Sequence, residues 1–307
     1  MVMAMPRAAG QSRPWMAAIA GAMPPERIAW MSAALMLVLL PVCLVLLAID
    51  PRTINGVSVW AKPIKFQLSL ALHFATLALL LRLLIPAARP ALRLGFILAT
   101  AAALFEILYI TLQSARGRAS HFNAETPLEM ALYQVMGVGA VAIVIVAMAA
   151  GWTIWRQARP EIGPGLRLGA CLGLVLGGVA TLVTAGALGS GEIAGPTHLV
   201  GGIARDAVAA GDAVWRSIAG DAAWRSIASD AGGLPFFGWS QVMGDLRVPH
   251  FFATHLMQAL PLLGLAADLR LSARRAQLVV WIGAGLGLLL VAATFWQAVL
   301  GLPFLTL

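Results

Sequence analysis

Apolar residues run along this chain in seven long blocks, approximately 28–49, 63–86, 93–114, 128–153, 166–188, 249–267 and 276–300. A helix crossing the hydrocarbon core of a bilayer needs roughly 17 to 25 such residues, and each block is of about that length. The connections between blocks are short and rich in Arg, Pro, Gly and Asp, apart from one long segment, 189–248. The pattern predicts an all-α fold: a polytopic transmembrane bundle of seven helices over residues 28–307, preceded by a short segment 1–27. The first block reads as a retained helix, since some 27 residues precede it and no small-residue cleavage site follows closely.

Composition supports the class. Of the 307 residues, 60% are hydrophobic and 11% charged, where a soluble domain carries about a quarter charged. The net charge of +8 is spread between apolar blocks with no Lys/Arg run, which argues against nucleic acid as a partner and for the positive-inside bias of membrane proteins. With the N-terminus inside, twelve of the 21 basic residues fall on the cytoplasmic side, and four of the other nine sit in or beside the long segment, where the bias counts little. The expected topology is N-terminus cytoplasmic, C-terminus extracytoplasmic, with the bilayer itself as the chief partner. A protein partner or a second copy remains compatible with it. Cys43 and Cys171 lie inside apolar blocks and read as small apolar residues.

The long segment carries a tandem repeat, DAVWRSIAG at 212–220 and DAAWRSIAS at 221–229. Nine residues make a half-integral number of helical turns, so Trp215 and Trp224 would face opposite ways on one straight helix, and two short pieces capped by Asp212 and Asp221 fit better. It reads as a duplication in a tolerant loop or as an interfacial lid. Gly169, Gly173 and Gly177, and later Gly283 and Gly287, are spaced for close helix packing. Pro41 and Pro261 should bend their helices.

Three connecting segments hold the unusual polar residues, and the topology puts all three on the outer side: 50–66, 113–123 and 238–255. Helical spacing carries the polarity inward. Lys65, Ser69 and His73 recur every four residues with Thr76 beyond; Glu106, Tyr109, Gln113 and Arg116 follow at three- and four-residue steps; His255 and Gln258 are one turn apart. At about 1.5 Å per residue, His73, Glu106 and His255 come to roughly 15, 12 and 9 Å from the outer ends of their helices. Glu106 is the sharpest signal, because a carboxylate inside an apolar run costs on the order of 3 kcal/mol to insert. His73, His255, Arg116 and Lys65 are its candidate partners. His121, Asn123, Asp245, Arg247 and His250 are candidates at the outer face, Asp245 and Arg247 as a local ion pair, while Thr126, Pro127 and Glu129 spell a helix-capping box.

The strings DPRTINGVSVWAKPIKF, ARGRASHFN and GDLRVPHFFATHLMQALPLLG resemble those of a group of bacterial multi-spanning membrane proteins, which implies a bacterial inner-membrane location and carries no activity. Ser69 and His73 are also similar in spacing to the Ser-x3-His of the seven-helix zinc hydrolases that include alkaline ceramidases and progestin-type receptors. The late His-x3-His of that superfamily is missing, since His250 and His255 have four residues between them. Three classes of function follow: a small-ligand or ion binding protein or permease with an outward polar cavity, a redox protein or enzyme, or an accessory subunit whose polar residues are glue between helices. The second requires a haem held by His73 and His255, or a metal held by those two with Glu106, and so requires them to converge.

Overall fold

The structure is a computed structural model and describes residues 23–54, 56–121, 123, 125–190, 192–193, 198–200, 233–235 and 237–306. The duplicated nonapeptides, at 212–229, lie outside the described residues. The seven apolar blocks are all helical: α1 (Pro25–Met36) with α2 (Leu40–Ile49), α3 (Ala61–Leu81), α4 (Arg93–Ala115), α5 (Pro127–Gln157), α6 (Pro164–Gly189), α7 (Arg247–Asp268) and α8 (Ala273–Val299). A seven-residue 3₁₀ turn, Pro86–Leu92, leads into α4. Two-residue strands pair antiparallel as β1 (Thr53–Ile54) with β2 (Val57–Ser58), and β3 (Leu199–Val200) with β4 (Gly244–Asp245).

Six helices are long and apolar enough to cross a membrane, taking α1 and α2 together as Pro25–Ile49. That is the make-up of an integral membrane protein. The difference from the expected seven is α7, whose 22 residues suffice in length but include Pro249, His250, Thr254, His255 and Gln258, which dilute its hydropathy. It is surrounded more than its composition suggests, packing on α6 along one side and on α8 along another.

Pro41 explains the break between α1 and α2. A proline cannot donate to the carbonyl four residues back and its ring crowds that turn; here α1 stops at Met36 and α2 begins at Leu40 with Pro41 in its first turn. Pro261, by contrast, lies within a continuous α7.

The spaced glycines do what their spacing implies. A Cβ on Gly169 would collide with the carbonyl oxygen of Leu260, one on Gly173 would lie 2.8 Å from that of Leu256, and one on Gly177 3.3 Å from that of Ala253. The seam is closed by Gly264 against Gly165, so α6 and α7 meet backbone to backbone at four successive levels, Gly165, Gly169, Gly173 and Gly177. At its end the Asp268 carboxylate accepts from the backbone N–H of Gly165 (2.8 Å) and of Leu166 (2.7 Å), capping the start of α6 from another helix.

The connections 50–60 and 116–126 and the segment before α7 share one end of the bundle. Arg52 of the first hairpin donates to the Ala115 carbonyl at the end of α4 (3.0 Å), and Lys65 near the start of α3 donates to the Phe237 carbonyl (3.1 Å). At the opposite end Arg89 pairs with Glu26 at 2.5 Å, and the backbone N–H of Ile85 reaches the Gln157 carbonyl at 3.1 Å.

Candidate functional site

The polar residues expected to form one funnel separate into a corner between α3, α4 and α5 and a narrower junction between α3 and α7. The corner begins with a hydrogen-bonded ladder on α4. Arg116 donates to Gln113 Oε1 (3.0 Å) and Gln113 Nε2 donates to the Tyr109 hydroxyl (2.8 Å), as residues one turn apart on a helix face should. Glu129, 4% exposed, gathers the end of the ladder nearest the loop: its Oε1 lies 3.1 Å from Arg116 and 3.0 Å from Arg118, with Gln113 at 3.4 Å. Thr126 does cap α5, accepting the Glu129 N–H at 3.2 Å. The Glu129 side chain goes to the two arginines, so the residue set aside as a capping partner is the anion that locks α4 to α5. The Arg-Gly-Arg at 116–118, two cations with no acid beside them in sequence, was the available signal.

Below this ladder sits Glu106. It is 7% exposed, and among the described residues it makes no hydrogen bond and no salt bridge. Its expected partners are all engaged elsewhere or turned away. Arg116 is on Glu129 and Lys65 is on the Phe237 carbonyl; His255 is on Gln258. The cation whose field reaches Glu106 is Lys62, one turn above Phe66, whose ring lies 5.9 Å from its ammonium. His121 closes the corner from the loop, its ring 5.6 Å from Phe66 and 5.6 Å from Tyr133, with Nδ1 3.2 Å from Ser120 Oγ. Burial, and then the Lys62 charge, push its imidazole well below the usual histidine value, so it is neutral in the folded protein. Asn123 shapes the loop, donating to the Ala119 carbonyl (3.0 Å) and accepting from the Glu125 N–H (3.0 Å).

The stripe on α3 divides. Four-residue steps overrun the 3.6-residue turn by about 40° each, so His73 is rotated about 80° from Lys65, whereas Thr76 returns to within about 20° of it. Ser69 is exposed, while His73 is 8% exposed, edge-on to Phe74, with Nε2 buried and lacking a hydrogen-bond partner among the described residues. Thr76 meets α7 instead, accepting from Gln258 Nε2 at 3.4 Å; Gln258 Oε1 in turn lies 3.2 Å from His255 Nδ1. His250 faces α6, its Nδ1 3.1 Å from Thr184 Oγ1. Asp245 is 1% exposed and forms the expected local pair, its Oδ2 2.6 Å from Arg247, which also donates to the Gly238 carbonyl. Asp50 makes a second such lock, missed in sequence: hydrogen bonds from Arg52 and the Trp60 indole hold its carboxyl well below the usual carboxylate range.

His73, Glu106 and His255 therefore do not converge. Among the described residues no three His, Cys, Asp or Glu side chains are grouped as a metal ion requires. The spacing placed them at similar depths, but depth says nothing about azimuth, and each side chain looks at a different neighbour.

Bundle and corner together define a helical protein of membrane-crossing composition with a buried acidic group beneath a basic and aromatic rim. No protein-family profile, curated protein or solved structure matches the chain.

Proposed function

We propose that the chain is a seven-span protein of a bacterial inner membrane, N-terminus cytoplasmic and C-terminus extracytoplasmic, that binds a small ligand or ion at the outer corner of α3, α4 and α5 and passes it to Glu106. One observation carries the reading: Glu106 is buried, and no described residue bonds its carboxyl. Native proteins rarely leave such a group unsatisfied, and in a bilayer its charge costs about 3 kcal/mol even on the lenient insertion scale. A carboxyl in that position is compensated by a proton or by something bound. A group that exchanges one for the other couples proton movement to ligand movement. Lys62, His121 and Tyr133 form the rim through which a ligand arrives, and the Arg116–Glu129–Arg118 cluster holds α4 and α5 in place around it. Among the described residues His73, His255 and Glu106 are not grouped as the reading with a metal ion requires.

The test uses the full chain reconstituted into liposomes, with uptake of labelled monovalent cations and small organic solutes followed under an imposed proton gradient. Gradient-dependent uptake that Glu106→Gln abolishes, in protein that still elutes as a single species, supports the reading. Uptake unchanged by Glu106→Gln, or absent in the unaltered protein for every solute class, overturns it and leaves Glu106 as packing between helices.

A further inference from the structure

A hollow of about 380 Å³ lies on the other side of α7, between it and α8, lined by His255, Leu256, Leu263, Gly283, Gly287 and Leu290 among others. Its size falls in the range of small-molecule sites, roughly 300–1,000 Å³. Gly283 and Gly287 set its floor: a Cβ on the first would collide with Leu263, and on the second with Leu256. Ala259 and Leu290 on its edges are exposed, so it opens sideways, where the hydrocarbon of a bilayer would lie.

One residue of the lining, His255, has a polar side chain, and its tautomer follows from the bonds behind it. Thr76 spends its only hydroxyl proton on the Leu72 carbonyl (2.8 Å), so towards Gln258 it can only accept. That fixes Gln258 Nε2 on Thr76 and Gln258 Oε1 on His255, where an oxygen without protons needs a donor. His255 Nδ1 therefore carries the hydrogen. Nε2, on the opposite edge of the ring, keeps its lone pair and has no hydrogen bond to a described residue. A relay running from α3 thus fixes the tautomer of the one polar side chain that lines an otherwise apolar, laterally open hollow.

We propose that this hollow binds a hydrocarbon-tailed alcohol or phenol drawn from the bilayer, its tail against Leu256, Leu263 and the two glycines and its hydroxyl donating to His255 Nε2. A plain acyl chain would fill the space and leave the acceptor unpaired; an ether or ester head would present a second acceptor to it. A hydroxyl head satisfies both surfaces. The site is separate from the Glu106 corner and does not depend on it.

The full chain in lipid nanodiscs, exposed to a diazirine-bearing fatty alcohol or to the methyl ether of the same compound, tests this by mass spectrometric mapping of labelled peptides. The alcohol is expected to label α7 and α8 about fivefold more than the ether, the ratio one neutral hydrogen bond supplies, and dodecan-1-ol should compete. Ala259→Trp, at an exposed edge, should remove labelling by both probes. His255→Phe should reduce the alcohol to the level of the ether, while Glu106→Gln should change nothing. Equal labelling by alcohol and ether in the unaltered protein, or labelling that survives Ala259→Trp, overturns the proposal; that probe comparison needs no variant to fold.

Discussion

Two junctions in this bundle are built from opposite materials. Where α6 meets α7, glycines bring backbone against backbone, and the contact is apolar from Gly177 to Gly169, with the Asp268 carboxylate at its end. Where α3, α4 and α5 meet, the contact is made by Lys62, His121, Tyr133, Gln113, Glu129 and two arginines, with Glu106 beneath them making no hydrogen bond or ion pair among the described residues. In lipid, helices gain little from burying apolar side chains against each other, so tight association depends on close packing or on polar bonds. The glycine seam uses the first and spends no chemistry. The corner uses the second and keeps groups in reserve, which is where a ligand can act.

The largest expected effect comes from breaking the seam. Gly169→Leu puts side-chain atoms where the Leu260 carbonyl already is, and neither backbone can yield without separating the helices. Destabilisation beyond about 3 kcal/mol is expected, the upper end of overpacking costs, read as loss of monodisperse protein after extraction. Gly186→Leu is the control on the same helix, since a Cβ there meets nothing within 4 Å. If both variants extract equally well, the seam is not what holds the two helices.

The corner should break more gently, and locally. Glu129→Gln removes the charge between Arg116 and Arg118 and leaves both cations facing a neutral amide. The ends of α4 and α5 at this corner are expected to loosen while the seam stays closed. Hydrogen exchange resolved by peptide should show faster exchange in 105–135 and no change in 165–178; a change in both would mean that the two junctions are one cooperative unit.

A smaller effect should follow from pH. The folded protein holds His121 below its ordinary value of 6.5. Above that value folded and unfolded chains both carry it neutral, and its contribution is fully present. As pH falls through 6.5, the unfolded state takes up a proton that the folded state refuses, and stability declines. Thermal midpoints compared at pH about 7.5 and about 5.5 should therefore fall less in His121→Phe, which keeps a ring on Phe66 and Tyr133, than in the unaltered chain.

How far these features were legible in sequence follows from their physics. Apolar block length gave the helices to within a few residues at most ends, because length and polarity are local properties: block 249–267 became Arg247–Asp268, and 276–300 became Ala273–Val299. Glycine spacing gave the seam for the same reason. The site was legible only in part. Spacing along α4 led to the Arg116–Gln113–Tyr109 ladder, yet which residue would stand opposite Glu106 depends on how three helices are rotated about their axes, and a single chain records that only through long-range contacts. Hence Lys62 rather than Lys65, and Glu129 as an ion-pair partner rather than a cap. The hollow beside His255 was out of reach altogether, since it is made by two helices and owned by neither.

Between the two junctions runs a thin connection, Gln258 to Thr76, where α3 and α7 touch through side chains and are otherwise little packed. An interhelical hydrogen bond in a membrane is worth about 0.6 kcal/mol on average, so Gln258→Leu is expected to lower stability by that order, close to the limit of measurement. The same substitution removes the group that fixes the His255 tautomer, and there the consequence is out of proportion to the energy. With Oε1 gone, either ring nitrogen of His255 can carry the hydrogen, and the acceptor at the hollow is no longer held in one form. NMR of ¹⁵N-labelled histidine should show a protonated Nδ1 and unprotonated Nε2 for His255 in the unaltered protein and a mixture in Gln258→Leu. A mixture already present in the unaltered protein would mean that the bond to Thr76 orients nothing, and that this connection is packing like the seam rather than a relay like the corner.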